Sequence, residues 1–233
     1  MIFHHMKKLE IPSFPFSIDE SLPPLTPPKA TIESARQVMV GTDEEALVDV
    51  RKFLIPTDVL YQSEPRLTRT LKGVYLREEV AKRLLRAHKW LNTKGFGIII
   101  LDAHRTLDFQ TALVNFYSSP DLGEGFVSPV TADEPLVPPH HTGGAVDLTL
   151  IENGRRLALG TDYDSFEPEA APHMLEMRES DPQARYLRRL LSFALKREGF
   201  VPHYLEWWHW SYGDQYWAAE NDFDKSLYGA INP

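Results

Sequence analysis

The strongest periodic signal lies between Arg77 and Thr93. There Val80, Leu84, Leu85, Ala87 and Leu91 fall on one stripe and predict an amphipathic helix, stopped by Gly95. Residues 96–101 follow as an apolar run of buried-strand length, and Asp102-Ala103-His104-Arg105 stands where that strand must end. Leu107 to Phe116 reads as a second helix. From Gly144 to Ile151 the chain alternates, with Val146, Leu148 and Leu150 on one face and Ala145, Asp147 and Thr149 on the other. Asn153-Gly154 then predicts a tight hairpin, with a return over Arg156 to Leu159. Asp181 to Glu198 is expected to be another amphipathic helix, placing Leu187, Leu190, Leu191, Ala194 and Leu195 inward and ending at Gly199. Tyr204 to Ser211 is aromatic and strand-like. Thr42 and Glu45 have capping-box spacing, yet Leu47-Val48-Asp49-Val50 alternates like a strand, so that segment stays open. Helices and strands mix without a steady βαβ rhythm. The expectation is an α+β fold: one domain whose small, mostly antiparallel sheet is flanked by helices.

Three stretches lack periodicity. Residues 1–30 carry Pro12, Pro15, Pro23, Pro24, Pro27 and Pro28 and read as an extended arm ahead of a 31–233 body. Phe14, Phe16, Ile18 and Leu25 would hold that arm against the body. The irregular stretches at 118–139 and 160–180 are long for a compact domain, which favours functional loops walling a site.

Composition narrows the chemistry. At 233 residues the chain suits one core, and its net charge of −8 has the wrong sign for a nucleic-acid or anionic-membrane binder. Without cysteine there is no thiolate metal site and no cysteine nucleophile, so a transition metal would need histidine and carboxylate. No apolar run reaches membrane-spanning length, and no apolar h-region follows Lys7 and Lys8; a cytoplasmic protein is expected.

Two clusters stand out. In His140-His141-Thr142-Gly143-Gly144-Ala145-Val146-Asp147, the small residues let the chain curl so that a histidine turns back toward a carboxylate in mid-strand. An aspartate there suits a wet cleft or a cation, or else an exposed strand face. In Glu206-Trp207-Trp208-His209 an ideal strand would point Glu206 and His209 to opposite faces; they converge only at a bulge or strand end. Taken alone, the tryptophans would make this an aromatic core strand. Together the clusters offer two histidines and an aspartate, three ligands that leave a fourth tetrahedral position open. A glutamate outside the set can act as general base, and Arg105 can face an oxyanion or a carboxylate. His4, His5 and His88 have no informative company and are expected at the surface.

His140-x-x-Gly143-x-Ala145-x-Asp147 with Glu206-x-Trp208-His209 resembles the signature of the D-alanyl-D-alanine dipeptidases. That zinc peptidase group also contains D,D-carboxypeptidases and shares its fold with hedgehog signalling domains. Asp102-Ala103-His104-Arg105 resembles the family's Asp-Ala-Tyr-Arg-Pro segment, and Gly160-Thr161-Asp162-Tyr163-Asp164 resembles its Gly-Thr-x-Phe-Asp segment. The resemblance runs from about residue 72 onward. It implies one zinc per chain on His140, Asp147 and His209, with Glu206 as base, Arg105 on the scissile carbonyl and Asp164 on the substrate's ammonium. The implied substrate is a small D-amino-acid dipeptide, D-Ala-D-Ala or a near relative. His141 falls between motif positions, behind the ligands or at the surface. Pro138, His104 and Thr106 depart from the usual serine, tyrosine and proline, and the upstream Asp-Leu-Arg-Tyr segment is not recognisable around Asp58-Val59-Leu60-Tyr61. A carboxypeptidase acting on peptidoglycan stems, or a non-catalytic zinc-containing binding module, is the alternative; Glu206 and Arg105 argue against the latter. Oligomeric state is left open.

Overall fold

The computed structural model describes residues 21–59, 61, 67, 73–117, 135–165, 167–177 and 181–232. Along the chain run α1 (Ile32–Arg36), β1 (Leu47–Asp49), β2 (Tyr75–Arg77), α2 (Glu78–Asn92), β3 (Gly97–Asp102) and α3 (Leu107–Tyr117). A 3-10 turn (Pro139–Thr142) leads into β4 (Ala145–Glu152) and β5 (Arg155–Arg156). Then come α4 (Pro182–Lys196), β6 (Val201–Pro202), β7 (His209–Ser211) and α5 (Gln215–Glu220). The expected α+β architecture is present. β3, β4, β7 and β6 form an antiparallel sheet in that order, with β5 added on β4, and β1 pairs β2 in a separate ribbon.

The apolar stripe of the first long helix becomes the face of α2 buried through Val80, Ala81, Leu84, Ala87 and Leu91. That face meets α4 and β3, and α4 meets β4 and β6, so the two helices lie together on the sheet. α4 starts on Asp181, whose carboxylate accepts from the Ala184 amide at 2.8 Å, with Pro182 in the first turn. Arg77, at the N-terminus of α2, gives it no side-chain cap; the Glu45 carboxylate accepts from the Glu79 amide instead. This resolves the open segment at 42–50. Glu45 forms no capping box of its own, and Leu47–Asp49 is strand.

Two expected strands are shorter than their patterns. The return after Asn153-Gly154, both residues in the left-handed region, ends as a strand at Arg156, although the Leu157 amide still reaches the Leu150 carbonyl at 2.9 Å. β7 takes the same edge of β4 opposite Ala145, Val146 and Asp147, leaving the return no edge to follow. Residues 204–208 turn and only His209–Ser211 is strand. The Trp207 amide is held by the Ala170 carbonyl at 2.9 Å, and the His209 amide folds back to the Glu206 carbonyl at 3.4 Å. The five-residue α1 and six-residue α5 are too short for periodicity to reveal.

Leu22 is buried and the Leu25 amide donates to Glu176 at 3.1 Å; Phe14, Phe16 and Ile18 lie outside the described residues, as do His4, His5 and residues 118–134. His88 is half-buried, not surface: its Nδ1 accepts from the Ile98 amide at 3.0 Å where β3 begins. No helix among the described residues is long and apolar enough to cross a membrane.

Candidate metal centre and active-site cleft

Strand register assembles the site. Asp147 lies opposite His209 across β4 and β7, and opposite Asp102 across β4 and β3, where the register shifts between Ile100 and Asp102. The Pro139–Thr142 turn delivers His140 and ends on Gly143 at φ +73°, a conformation that favours glycine; a Cβ there would also meet Leu47 at 2.6 Å. Arg77, almost fully buried, steadies this turn by donating to the carbonyls of Thr142 (2.8 Å), Asp43 (3.2 Å), Gly229 (3.2 Å) and Glu45.

Three buried ligand atoms converge. His140 Nε2 is 3.2 Å from His209 Nδ1 and 3.3 Å from Asp147 Oδ1, and the last two atoms are 3.1 Å apart. A tetrahedral ion with bonds of about 2.0 Å needs ligand atoms about 3.3 Å apart, so the triangle already has the size of a metal face. The donor set fits as well. His140 Nδ1 faces the Ala103 carbonyl at 2.8 Å, which fixes the proton there and leaves the Nε2 lone pair toward the centre. Asp147 Oδ1 has no hydrogen-bond donor, while Oδ2 takes the Tyr163 hydroxyl at 2.8 Å. The proximity of His140 pulls the Asp147 carboxyl well below its ordinary range despite burial. His140, Asp147 and His209 therefore form a site able to hold a metal ion.

Around this centre the other expected residues take distinct places. Arg105 Nε donates to Asp102 Oδ2 at 2.7 Å, Nη1 to Gln110 at 3.4 Å and Nη2 to Asp147 Oδ2 at 3.5 Å. Glu206 enters from the turn before β7, its Oε2 3.8 Å from His209 Nδ1. The strand-end convergence expected from the sequence thus occurs. Burial raises the Glu206 carboxyl to about 7. Asp164 sits across the cleft in the left-handed region, accepting the hydroxyls of Tyr61 (2.5 Å) and Tyr117 (3.0 Å). Burial raises it to about 8, against the pull of the Tyr61 hydrogen bond. His141 is buried behind the site and faces the Arg105 carbonyl at 2.9 Å.

Sequence reasoning missed several lining residues. Tyr61 stood in a segment that matched no motif, and Tyr117, the last residue of α3, lay one position beyond the helix expected over Leu107 to Phe116. His203 has its Nδ1 3.7 Å from Glu206 Oε2, and its ring lies 5.1 Å from that of His209. Its position three residues before Glu206, as Glu206 is before His209, was the available signal.

The D-ala-D-ala dipeptidase family profile matches residues 52–226, three-quarters of the chain. The chain belongs to that family. It is 31% identical over 175 residues to a D-alanyl-D-alanine dipeptidase of Synechocystis sp., an alignment covering 61% of this chain and 71% of the other. It is 24% identical over 156 residues to the D-alanyl-D-alanine dipeptidase of Enterococcus faecium, covering 59% and 72%. Among solved structures, the vancomycin-resistance D,D-dipeptidase VanXYg in complex with a D-Ala-D-Ala phosphinate analogue gives a TM-score of 0.38 at 17% identity, covering 78% of this chain and 72% of the other. As a member of this family the chain is a hydrolase of the peptidase class.

Proposed function

We propose that the chain is a zinc-dependent dipeptidase that cleaves D-Ala-D-Ala or a close relative. The observation that carries this reading is the triangle of His140, Asp147 and His209 with Glu206 beside it but outside the ligand set. Zinc, when bound, supplies Lewis acidity that makes water a nucleophile at neutral pH. The rest falls to this chain's own groups. Asp164, cradled by two tyrosine hydroxyls, receives the substrate's ammonium, whose positive charge draws the proton off the raised carboxyl and makes the contact charge-assisted. Arg105, held by Asp102, faces the scissile carbonyl and stabilises the charge that develops on its oxygen. Glu206, poised near neutrality, takes a proton from the attacking water and returns it to the departing amine as the C–N bond breaks.

The test uses the zinc-loaded chain and Glu206→Gln. The parent should hydrolyse D-Ala-D-Ala and lose most activity on its N-acetylated analogue. The variant should keep zinc and melting temperature, yet turn over at least about a hundredfold more slowly, since general-base catalysis contributes typically 10²–10⁴-fold. Near-normal turnover at full zinc would overturn the mechanism.

A further inference from the structure

The cleft has two unlike ends. A series of contacts links them through the metal centre. Tyr216 packs on His203 with ring centroids 5.1 Å apart, and His203 packs on His209. From the metal centre the series continues through Asp147 to Arg105, then Tyr61, whose ring the guanidinium overlies at 5.6 Å, and finally Asp164. The metal site is thus linked on one side to an acidic, hydroxyl-rich end at Asp164 and on the other to an aromatic end at Tyr216. The aromatic end does not belong to the main core. It is built by a separate small cluster in which Ile32 of α1, Tyr204 and Tyr216 of α5 pack with Ala30, Ala35 and Leu136. Tyr204 and Tyr216 stack with rings inclined at 23°, and Leu205 is exposed at the rim. Ile32, Tyr204, Leu205 and Tyr216 all line the cleft, which has a volume of about 440 Å³. Pockets of ~300–1,000 Å³ hold ligands of drug size, well beyond two methyl side chains.

If Asp164 holds the substrate's ammonium and the scissile carbonyl lies at the metal site, the next residue, the one released as the free amine, extends toward this aromatic end. We propose that Ile32, Tyr204, Leu205 and Tyr216 form a subsite for the released residue, whose preferred side chain is branched or aromatic and apolar. The inference rests on the dipeptidase reading and narrows its substrate class. Apolar surface presented to a cleft gains free energy when an apolar group displaces the water on it. A methyl group reaches little of a wall made from two stacked tyrosines, an isoleucine and a leucine. A leucine or phenylalanine side chain covers it.

The experiment measures kcat/KM of the zinc-loaded full chain on D-Ala-D-Ala, D-Ala-D-Leu and D-Ala-D-Phe. One methylene in a hydrophobic pocket is worth roughly 10–200-fold, so the larger substrates should exceed D-Ala-D-Ala by at least about tenfold. Ile32→Trp, which fills the subsite from the half-buried face of a short helix, should cut the leucine-to-alanine ratio by about tenfold. Tyr204→Ala should lower the phenylalanine-to-alanine ratio, and ratios are independent of the fraction of protein folded. Hydrolysis of D-Ala-D-Ala at equal or higher kcat/KM than both larger dipeptides would overturn this inference and leave the dipeptidase reading standing. Ratios unmoved in both variants would also overturn it. Hydrolysis of none of the three would remove the dipeptidase reading and the subsite together.

Discussion

Replacing Asp164 by asparagine should strengthen the fold while weakening catalysis, and the size of the first effect should track pH. The carboxyl is raised to about 8, against an ordinary value of 3.8 that the unfolded chain recovers. Between those values the unfolded chain gives up the proton and the folded chain keeps it, so stability falls as pH rises from about 4 to about 8 and is level above. At 1.36 kcal/mol per unit the ceiling is about 6 kcal/mol. The side chain is only partly withdrawn from solvent, and a real site is more polarisable than a dry interior, so about 2–3 kcal/mol is the working figure. Asparagine accepts the same hydroxyls from Tyr61 and Tyr117 and tolerates the left-handed backbone at this position. For a chain of this length that corresponds to roughly 5–10 °C in melting temperature. The assay is thermal unfolding of parent and Asp164→Asn with chelator at pH 4, 6, 8 and 9. The variant's advantage should be near zero at pH 4, grow to pH 8 and then hold. Zinc adds positive charge nearby, lowers the Asp164 carboxyl and should shrink the advantage at pH 6, 8 and 9. An advantage independent of pH, or a variant less stable than the parent at pH 9, would refute the argument.

Other substitutions test other parts of the molecule. His140→Ala and His209→Ala should each lose stoichiometric zinc on metal analysis, because each removes one corner of the ligand triangle; full occupancy in both would refute the assignment. Arg188 is buried and donates to the carbonyls of Leu159 (2.6 Å), Ala171 (2.8 Å) and Glu169 (2.8 Å), so it staples the loop before α4. Arg188→Leu strands those acceptors at about 1–3 kcal/mol each and should lower stability by about 3 kcal/mol or more in denaturant titration. A loss under about 1 kcal/mol would show that water replaces the guanidinium there.

How far the sequence revealed this protein depended on the range of the forces involved. The buried faces of α2 and α4, the run of β3 and the alternation of β4 repeat within one element, and all four were legible. So was the left-handed turn at Asn153-Gly154, a local backbone requirement. What escaped was decided by distant partners. Glu45 caps a helix more than thirty residues away, His88 receives an amide from the start of β3, and the strand expected from Tyr204 turns because Trp207 is held by Ala170. At the site, the residues that matched a motif were legible. Tyr61, Tyr117 and His203 were not, because their place depends on which surfaces the fold brings to the same cleft.

The register that sets Asp102 opposite Asp147 has a consequence for how arginine variants behave. Like charges on directly paired strand positions repel, and Arg105 lies between these two, donating to both carboxylates. It therefore acts as an electrostatic spacer whether or not substrate is present. Arg105→Ala should lower zinc retention and stability together with turnover, because it releases that repulsion beside the ligand set. Arg105→Lys keeps a positive charge between the carboxylates but gives up the planar fork. It should hold zinc and melt close to the parent while losing kcat/KM, and the gap between the two variants separates the arginine's part in holding two strands together from its part in the reaction.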